Sequence, residues 1–382
     1  MRRFSKLTSI LVTVITILTL MLSGCASKPA GSATPSSPSS STPADSDTTP
    51  QEKIKVGVAL TNMGRGDRSF NDVTLEGLDK AVSDFGIEYK DVTPKENAQF
   101  SSTLAYFADN DFDLIIAISF GYTEDIVNVA AQYPDSKFIG IDCAYDVVPE
   151  NVQSVVFNEQ ESAYLSGVMA AMMSETGTVG FIGGMDAPLI NKFEGGFLAG
   201  ALATNPDIKT EVAYIGTDPT AFNNPAKAKE VALDQIQKGV DIIYQVANAS
   251  GTGVFEACAE KNIYAIGQDQ NQNWIQPGLI LTSMMKNCDV AIYNIIEDYV
   301  TNKNFNGGSA WVGTLANGGV GPTDLDNLEG IETTLSAEDQ QKIQDMKNAI
   351  PQAVKDAIKA ATEGINSGEI VVPNWQVDGR PQ

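Results

Sequence analysis

The sequence predicts an α/β fold of two lobes, each a parallel sheet with helices on both faces. Short β-branched runs alternate with amphipathic segments across residues 53–382. Apolar strands of that length, interleaved with helices, form parallel sheets covered on both sides. About 330 residues suit two domains of ordinary size. The third observation is an internal echo. Phe112-Asp113-Leu114-Ile115-Ile116 matches Val240-Asp241-Ile242-Ile243-Tyr244. Each leads through a helix to a second strand, Phe138-Ile139-Gly140-Ile141-Asp142 or Tyr264-Ala265-Ile266-Gly267-Gln268-Asp269. The Asp113–Asp142 and Asp241–Asp269 spacings are 29 and 28 residues, so like units recur in the two halves.

The chain begins with Arg2, Arg3 and Lys6 and no acid, then an uncharged apolar run over 7–22, then Leu22-Ser23-Gly24-Cys25. A basic start, a short apolar run and small residues at the cut predict a signal peptide over 1–24. Thr8, Ser9, Thr13, Thr16 and Thr19 interrupt the run, which is short for a membrane span. Its ending resembles the bacterial lipobox, which implies cleavage before Cys25 and lipid on its sulfur. A plain secretory signal is the alternative; the cysteine stands where the cut is expected. Of the 27 residues in 26–52, 17 are Ser, Thr or Pro, and none is aromatic or a large aliphatic. Such a segment buries too little surface to offset its ordering entropy, so 25–52 reads as a lipidated cysteine and an extended tether. Losing Arg2, Arg3 and Lys6 takes the net charge from −23 to −26. Anionic lipid repels that charge, so the expected membrane attachment runs through the lipid anchor.

Past the tether, strand-like stretches fall at 54–60, 114–119, 137–142, 152–157, 179–183, 212–215, 241–246, 264–268 and 280–285. Helix-like stretches fall at 72–85, 103–109, 123–132, 162–174, 192–204, 226–237 and 253–261. Composition narrows the chemistry. The chain has no histidine, which excludes Ser–His–Asp and Cys–His nucleophiles, His-ligated metals and a histidine base. With 25 Lys+Arg against 48 Asp+Glu it lacks the positive face that a nucleic acid requires. Cys25, Cys143, Cys258 and Cys288 are too few and too scattered for a disulfide scaffold or a CxxC metal site. No cofactor is expected.

In open parallel sheets, ligands bind beyond the carboxyl ends of the strands. Asp142 and Asp269 sit at such ends, one per half. If the lobes face each other, both carboxylates enter one cleft. The loop from Thr61 to Asp72 also follows a strand and opens a helix. There Ser69 or Asn71 caps the helix, or meets a ligand, and Asp72 complements the dipole. Phe70, a large aromatic in a polar loop, either staples the helix or stacks on a ligand; stacking on a base contributes about 1–3 kcal/mol. An asparagine amide pairs with a purine edge through one donor and one acceptor. The glycines of 177–184 lack GxGxxG spacing and a P-loop lysine. Gly251 and Gly253 open a helix where backbone N–H groups face a possible ligand. Lys286 ends an apolar run and wants a partner, either an aspartate across the cleft or a sugar hydroxyl beside Asp269.

Ser69-Phe70-Asn71 with Gly77, Tyr133-Pro134-Asp135-Ser136-Lys137-Phe138 and Gly180-Phe181-Ile182-Gly183-Gly184-Met185 resemble the basic membrane protein family of bacterial lipoproteins. Phe193-Glu194-Gly195-Gly196-Phe197, Asn224-Pro225-Ala226-Lys227 and Leu281-Thr282-Ser283-Met284-Met285-Lys286 continue the likeness in order, over essentially all of 54–372. The resemblance implies a type I periplasmic-binding-protein architecture, ribose-binding-protein-like, with two Rossmann-like lobes. One lobe would span 53–158 and be completed by about 287–305; the other would span 159–286 and be completed by about 306–375. It implies a monomeric, non-enzymatic receptor that binds a purine nucleoside such as adenosine, guanosine or inosine and delivers it to ABC permease subunits. Phe70 and Phe222 would sandwich the base, Asn71 and Asp142 would bond its edge, Asp269 and Lys286 would hold the ribose hydroxyls, and Gly251 would add a backbone contact.

The chain departs from the family pattern at Asn62, where an Asp is usual, at Gly66-Asp67, at Gln268 and at Ala247-Asn248-Ala249. Two other expectations stand beside the nucleoside receptor. One is a receptor for a flavin or sugar on the same fold. The other is a nucleosidase using Asp142 and Asp269 as a carboxylate pair.

Overall fold

Residues 53–328 and 335–381 are described by the computed structural model; the expected signal peptide, Cys25 and tether lie outside them. The first sheet contains β1 (Lys55–Ala59), β2 (Glu88–Val92), β3 (Leu114–Ile118), β4 (Phe138–Ile141) and β5 (Val152–Phe157), parallel and ordered β5-β4-β3-β1-β2. The second contains β6 (Thr178–Met185), β7 (Lys209–Gly216), β8 (Ile242–Val246), β9 (Tyr264–Asp269) and β10 (Ile280–Lys286), parallel and ordered β10-β9-β8-β6-β7. Position for position the two orders are the same. The sequence echo is therefore a repeat of topology, with β3 and β4 answering to β8 and β9.

The leading aspartates of the echo are structural. Asp113 accepts a hydrogen bond from the Lys55 amide at 2.8 Å, tying the start of β3 to β1. Asp241 accepts from the Glu175 and Thr176 amides at 2.7 and 2.8 Å, tying the start of β8 to the turn before β6. The trailing aspartates, Asp142 and Asp269, are left for the carboxyl ends.

Two strands exchange between the halves. β11 (Ser309–Gly313) pairs parallel with β5, and β12 (Val320–Pro322) pairs antiparallel with β10. The chain's return to the first sheet therefore runs through Gly313, past the expected end near 305, because Ser309–Gly313 is in register with Gln153–Phe157. Neither β2 nor β11 was legible as a strand. Both are edge strands with charged or exposed residues, the composition that protects an edge from unwanted pairing.

Helices cover both sheets. On the first lie α1 (Phe70–Phe85), α2 (Phe100–Asp109) and α3 (Thr123–Gln132); on the second lie α4 (Glu159–Met173), α5 (Pro188–Thr204), α6 (Pro225–Gln237) and α7 (Gly251–Lys261). α8 (Cys288–Asn302) returns to pack against α1, while α9 (Ala337–Ala349), α10 (Gln352–Ser367) and the short α11 (Trp375–Asp378) pack on the second half. β3 shows why both faces need cover. Leu114, Ile116 and Ile118 enter the core under α1 and α8, while Ile115 and Ala117 enter the core under α2 and α3. Each fully buried aliphatic of this size stabilises the fold by about 1.5–3 kcal/mol relative to exposure.

Three crossings join the halves: β5 to α4, β10 to α8, and β11 to β12. They are bonded to one another. The Asn158 amide donates to the Gly313 carbonyl at 2.7 Å, the Asn287 amide to the Gly319 carbonyl at 2.9 Å, and the Leu315 amide to the Glu161 carboxylate at 2.8 Å. A Cβ on Gly319 would stand 2.3 Å from the Gly313 Cα, so the crossing strands touch through backbone alone. Gly319→Ala is expected to lower stability by about 1–3 kcal/mol through this overpacking. Urea unfolding measures it, and an unchanged midpoint would show that the crossings are loosely packed.

Candidate functional site

Four residues past or at the carboxyl ends of central strands have positive φ: Ser119 after β3 (148°), Asp142 after β4 (64°), Asn248 after β8 (47°) and Asp269 ending β9 (72°). All four line one cavity of about 150 Å³. The topological repeat thus delivers a matching pair from each sheet to one place. Such backbone costs about 1–3 kcal/mol per residue and persists where the surroundings over-determine it, commonly at ligand sites.

Rings form much of the remaining wall. Phe70 opens α1, Phe100 opens α2, Phe120 follows β3, Phe193 lies on α5, and Phe222 precedes α6. Met63, Met185, Leu189 and Ile190 fill between them. Phe70 and Phe222, the two aromatics picked out in the sequence, both lie here and are nearly buried. A wider groove of about 1110 Å³ lies elsewhere, past Arg65, Asp72, Glu76, Asp79 and Asp289. Charges rim that groove, whereas rings enclose the smaller cavity.

Beneath the rings runs a buried chain of charges. Lys286, at the end of β10, contacts the Asp142 carboxylate at 2.6 Å and the Glu159 carboxylate at 2.8 Å. Glu159 in turn meets Lys192 at 2.5 Å, and Lys192 donates to the Phe157 carbonyl at 2.8 Å. The contacts of Glu159 are close ion pairs, not well-directed hydrogen bonds. The Lys286 Nζ also sits 4.8 Å from the Phe70 ring centre and 5.0 Å from that of Phe157, within cation–π range. Burial opposes the Lys286 charge, but Asp142 and Glu159 outweigh it and hold the ammonium above its ordinary range. Burial likewise opposes Glu159, yet Lys192 and Lys286 hold it below the usual carboxylate value. Asp142 goes the other way. Burial pushes it up to about 6, against the pull of Lys286 and with the help of Glu159. Its Oδ2 accepts from Lys286, while its Oδ1 is buried and accepts nothing from the protein among the described residues.

Asp269 holds the other side. Its Oδ2 accepts from the Ser69 hydroxyl and its Oδ1 from the Gln268 amide at 3.0 Å. Ser69 therefore does not cap α1. Asp67 takes that role, accepting from the amides of Ser69, Asn71 and Asp72 at 3.1, 2.9 and 3.2 Å, and burial pushes its carboxyl up to about 6. Gln272 reaches across the same junction and donates to the Arg68 carbonyl at 2.8 Å.

Two residues expected at the ligand are not in the cavity wall. Asn71 is fully buried within its own loop; its Oδ1 accepts from the Thr61 amide at 3.0 Å, and its Nδ2 donates to Thr61 at 2.6 Å and Asp67 at 2.9 Å. Every polar atom of the amide is engaged in fixing the β1–α1 loop that presents Phe70. Gly251 also stands outside the wall, at the start of α7, where a Cβ would lie 2.2 Å from the Gln245 side chain. Of the departures from the family pattern, Asn62 and Asn248 line the cavity. Asn62 donates to Asn97 at 3.0 Å, and Gln268 accepts from the buried Tyr244 hydroxyl. Cys143, Cys258 and Cys288 are buried and form no disulfide among the described residues.

Sequence reasoning missed Glu159, Lys192 and Phe193. A signal existed for the first, an acid two residues after an apolar strand, and for the second, a lysine flanked by Leu189, Ile190 and Phe193 at the start of α5.

In sum of charges, two lysines cancel Asp142 and Glu159 and leave Asp269. A site so arranged suits an uncharged ligand with donors for carboxylates and a flat face for rings; it disfavours phosphate. Comparison with known proteins agrees with a receptor. Residues 54–356 match the family of PnrA-like ABC transporter substrate-binding proteins. An uncharacterised lipoprotein of Pyrococcus furiosus is 34% identical, with 85% of this chain and 82% of that protein covered. The ABC transporter nucleoside-binding protein BmpA of Lactococcus lactis subsp. cremoris is 29% identical, covering 84% and 89%. Among solved structures, an ABC transporter system solute-binding protein from Aeropyrum pernix K1 shares 31% identity over 84% of this chain and 94% of that one, with a TM-score of 0.74. Proteins of this family are generally non-enzymatic, and among the described residues no helix is long and apolar enough to cross a membrane. Two like lobes of type I periplasmic-binding-protein form, a ring-walled cavity at their strand ends and a family match over most of the sequence lead to one conclusion: the chain belongs to the PnrA-like, basic membrane protein family of ABC transporter substrate-binding lipoproteins.

Proposed function

We propose that this receptor captures a purine nucleoside in the cavity and delivers it, unchanged, to the permease of an ABC importer. Lipid on Cys25 holds it at the extracytoplasmic face of the cell membrane, and it acts as a monomer. The observation that carries the reading is a ring-walled cavity lined by Asp142, whose buried Oδ1 accepts no hydrogen bond from the protein among the described residues. A purine supplies both complements, a flat face for Phe70 and Phe222 and an N–H for the carboxylate. Stacking on a base contributes about 1–3 kcal/mol. Asp269 and Lys286 hold the ribose hydroxyls. Asn71 and Gly251 act at one remove, through the loop and the helix they fix. The name of the Lactococcus relative, a nucleoside-binding protein, supports the same class. Contacts from both lobes favour the closed arrangement of the hinge when ligand is bound.

Thermal unfolding of the full chain, purified in detergent, tests this. Adenosine, guanosine or inosine at a hundred times its Kd adds about 2.7 kcal/mol and raises Tm by a few degrees. Ribose, riboflavin and AMP are expected to leave Tm unchanged. A shift with riboflavin or ribose and none with any nucleoside would overturn the proposal. Recovery of the nucleoside as free base and ribose after incubation would favour the nucleosidase instead.

A further inference from the structure

Glu159 and Lys192 are buried, yet neither lines the cavity. Burying a charge demands a partner, and the fold goes to some length to supply one. α4 and α5 approach until their backbones touch. A Cβ on Gly196 would stand 2.3 Å from the Gln160 carbonyl oxygen, and one on Gly200 would stand 2.0 Å from that of Tyr164. Only this closeness lets Glu159, the first residue of α4, reach Lys192 on α5. The result is a chain of alternating sign, Lys192–Glu159–Lys286–Asp142, of which only the last two members face the cavity.

The order of the chain determines what its hidden half does. Glu159 competes with Asp142 for one ammonium and, as a like charge, opposes ionisation of Asp142. Lys192 offsets Glu159. Other groups around Asp142 are few. Asp269 stands across the cavity and acts on the same lysine, while burial holds the Cys143 and Cys288 thiols neutral.

We propose that Glu159 and Lys192 form a counter-ion relay that governs, from outside the cavity, the charge on Asp142 and hence the capture of a ligand donor. They are positioning residues. The effect on capture rests on the reading of the cavity as a nucleoside site; the effect on Asp142 does not.

The two parts separate in experiment. In the full chain labelled with 13C at aspartate carboxyls, and without nucleoside, Asp142→Asn identifies the Asp142 signal, which is expected to titrate near pH 6. Glu159→Gln is expected to lower that midpoint by about one pH unit or more, and Lys192→Met to raise it by a similar amount. Lys192→Arg keeps the charge and the parental midpoint. The double variant Glu159→Gln/Lys192→Met removes one charge of each sign, folds without a stranded ion, and returns the midpoint toward the parent. A change from about 6 to about 5 makes inosine bind roughly fivefold tighter at pH 5. Equal midpoints in all variants, or a double variant no nearer the parent than its worse single, would overturn the relay. Midpoints that move while inosine affinity ignores them would overturn its role in capture. Midpoints that move in a protein binding no nucleoside would support the relay and remove the nucleoside reading.

Discussion

Lys286→Met is expected to destabilise the folded chain by about 3–5 kcal/mol at pH 7.5, the range for stranding a buried charge. Lys286 is 2% exposed and is the sole ion-pair partner of Asp142 among the described residues. Methionine fills the space but leaves Asp142 without a counter-charge and Glu159 with Lys192 alone. The loss should depend on pH, and its sign follows from linkage. In the variant Asp142 loses the ammonium that drew its carboxyl down, so its folded-state pKa rises further above its unfolded value, near 4. The Asp142 part of the cost is therefore small near pH 4 and grows as pH rises through the folded Asp142 value. Asp142 already stands near 6 with Lys286 present, so the variant should be clearly less impaired at pH 5 than at pH 7.5. Urea unfolding at the two values tests this. A loss under about 1 kcal/mol that is the same at both would show that the lysine does not hold the chain of charges together.

Asp269→Asn is expected to weaken nucleoside binding by roughly 10- to 150-fold while leaving stability within about 1 kcal/mol. A hydrogen bond to a charged group contributes about 1.5–3 kcal/mol, and the carboxylate is the acceptor assigned to the ribose. Asparagine is the informative replacement because it tolerates the φ of 72° and can still accept from Ser69. Alanine at this position adds backbone strain and removes the Ser69 contact, so its effect mixes folding with binding. Calorimetry with inosine reads the result, and affinity within twofold of the parent would remove Asp269 from the ligand contacts.

Much of this was legible in the sequence for a physical reason. Strand periodicity and the echoed aspartates report topology, and topology determines where strand ends lie; Asp142 and Asp269 were found that way. Sequence gives proximity to a site but not direction. Asn71 and Phe70 are neighbours, yet the ring turns to the cavity while the amide turns inward, because Asp67 and Thr61 offer it partners. Helix-borne wall residues such as Leu189, Ile190 and Phe193 look like ordinary core until α5 is docked. Glu159 and Lys192 were the hardest to see, since an isolated charge near a helix start reads as solvent-facing unless the packing of α4 on α5 is known. The edge strands β2 and β11 escaped because the features that keep an edge from pairing also erase the apolar signal.

The positive φ angles at the four strand ends limit how this receptor can change its preference. Such positions accept short polar residues and glycine and reject β-branched or bulky ones. Their recognition alphabet is therefore small: aspartate, asparagine, serine, glycine. Re-targeting the cavity to another solute has only a handful of moves available there, each swapping one short polar group for another. The apolar walls carried by α5 and by the segment before α6 are regular backbone and free to vary in size. Evolution or design seeking a new ligand on this frame should keep the strand-end polar set and reshape Leu189, Ile190, Phe193 and Phe222.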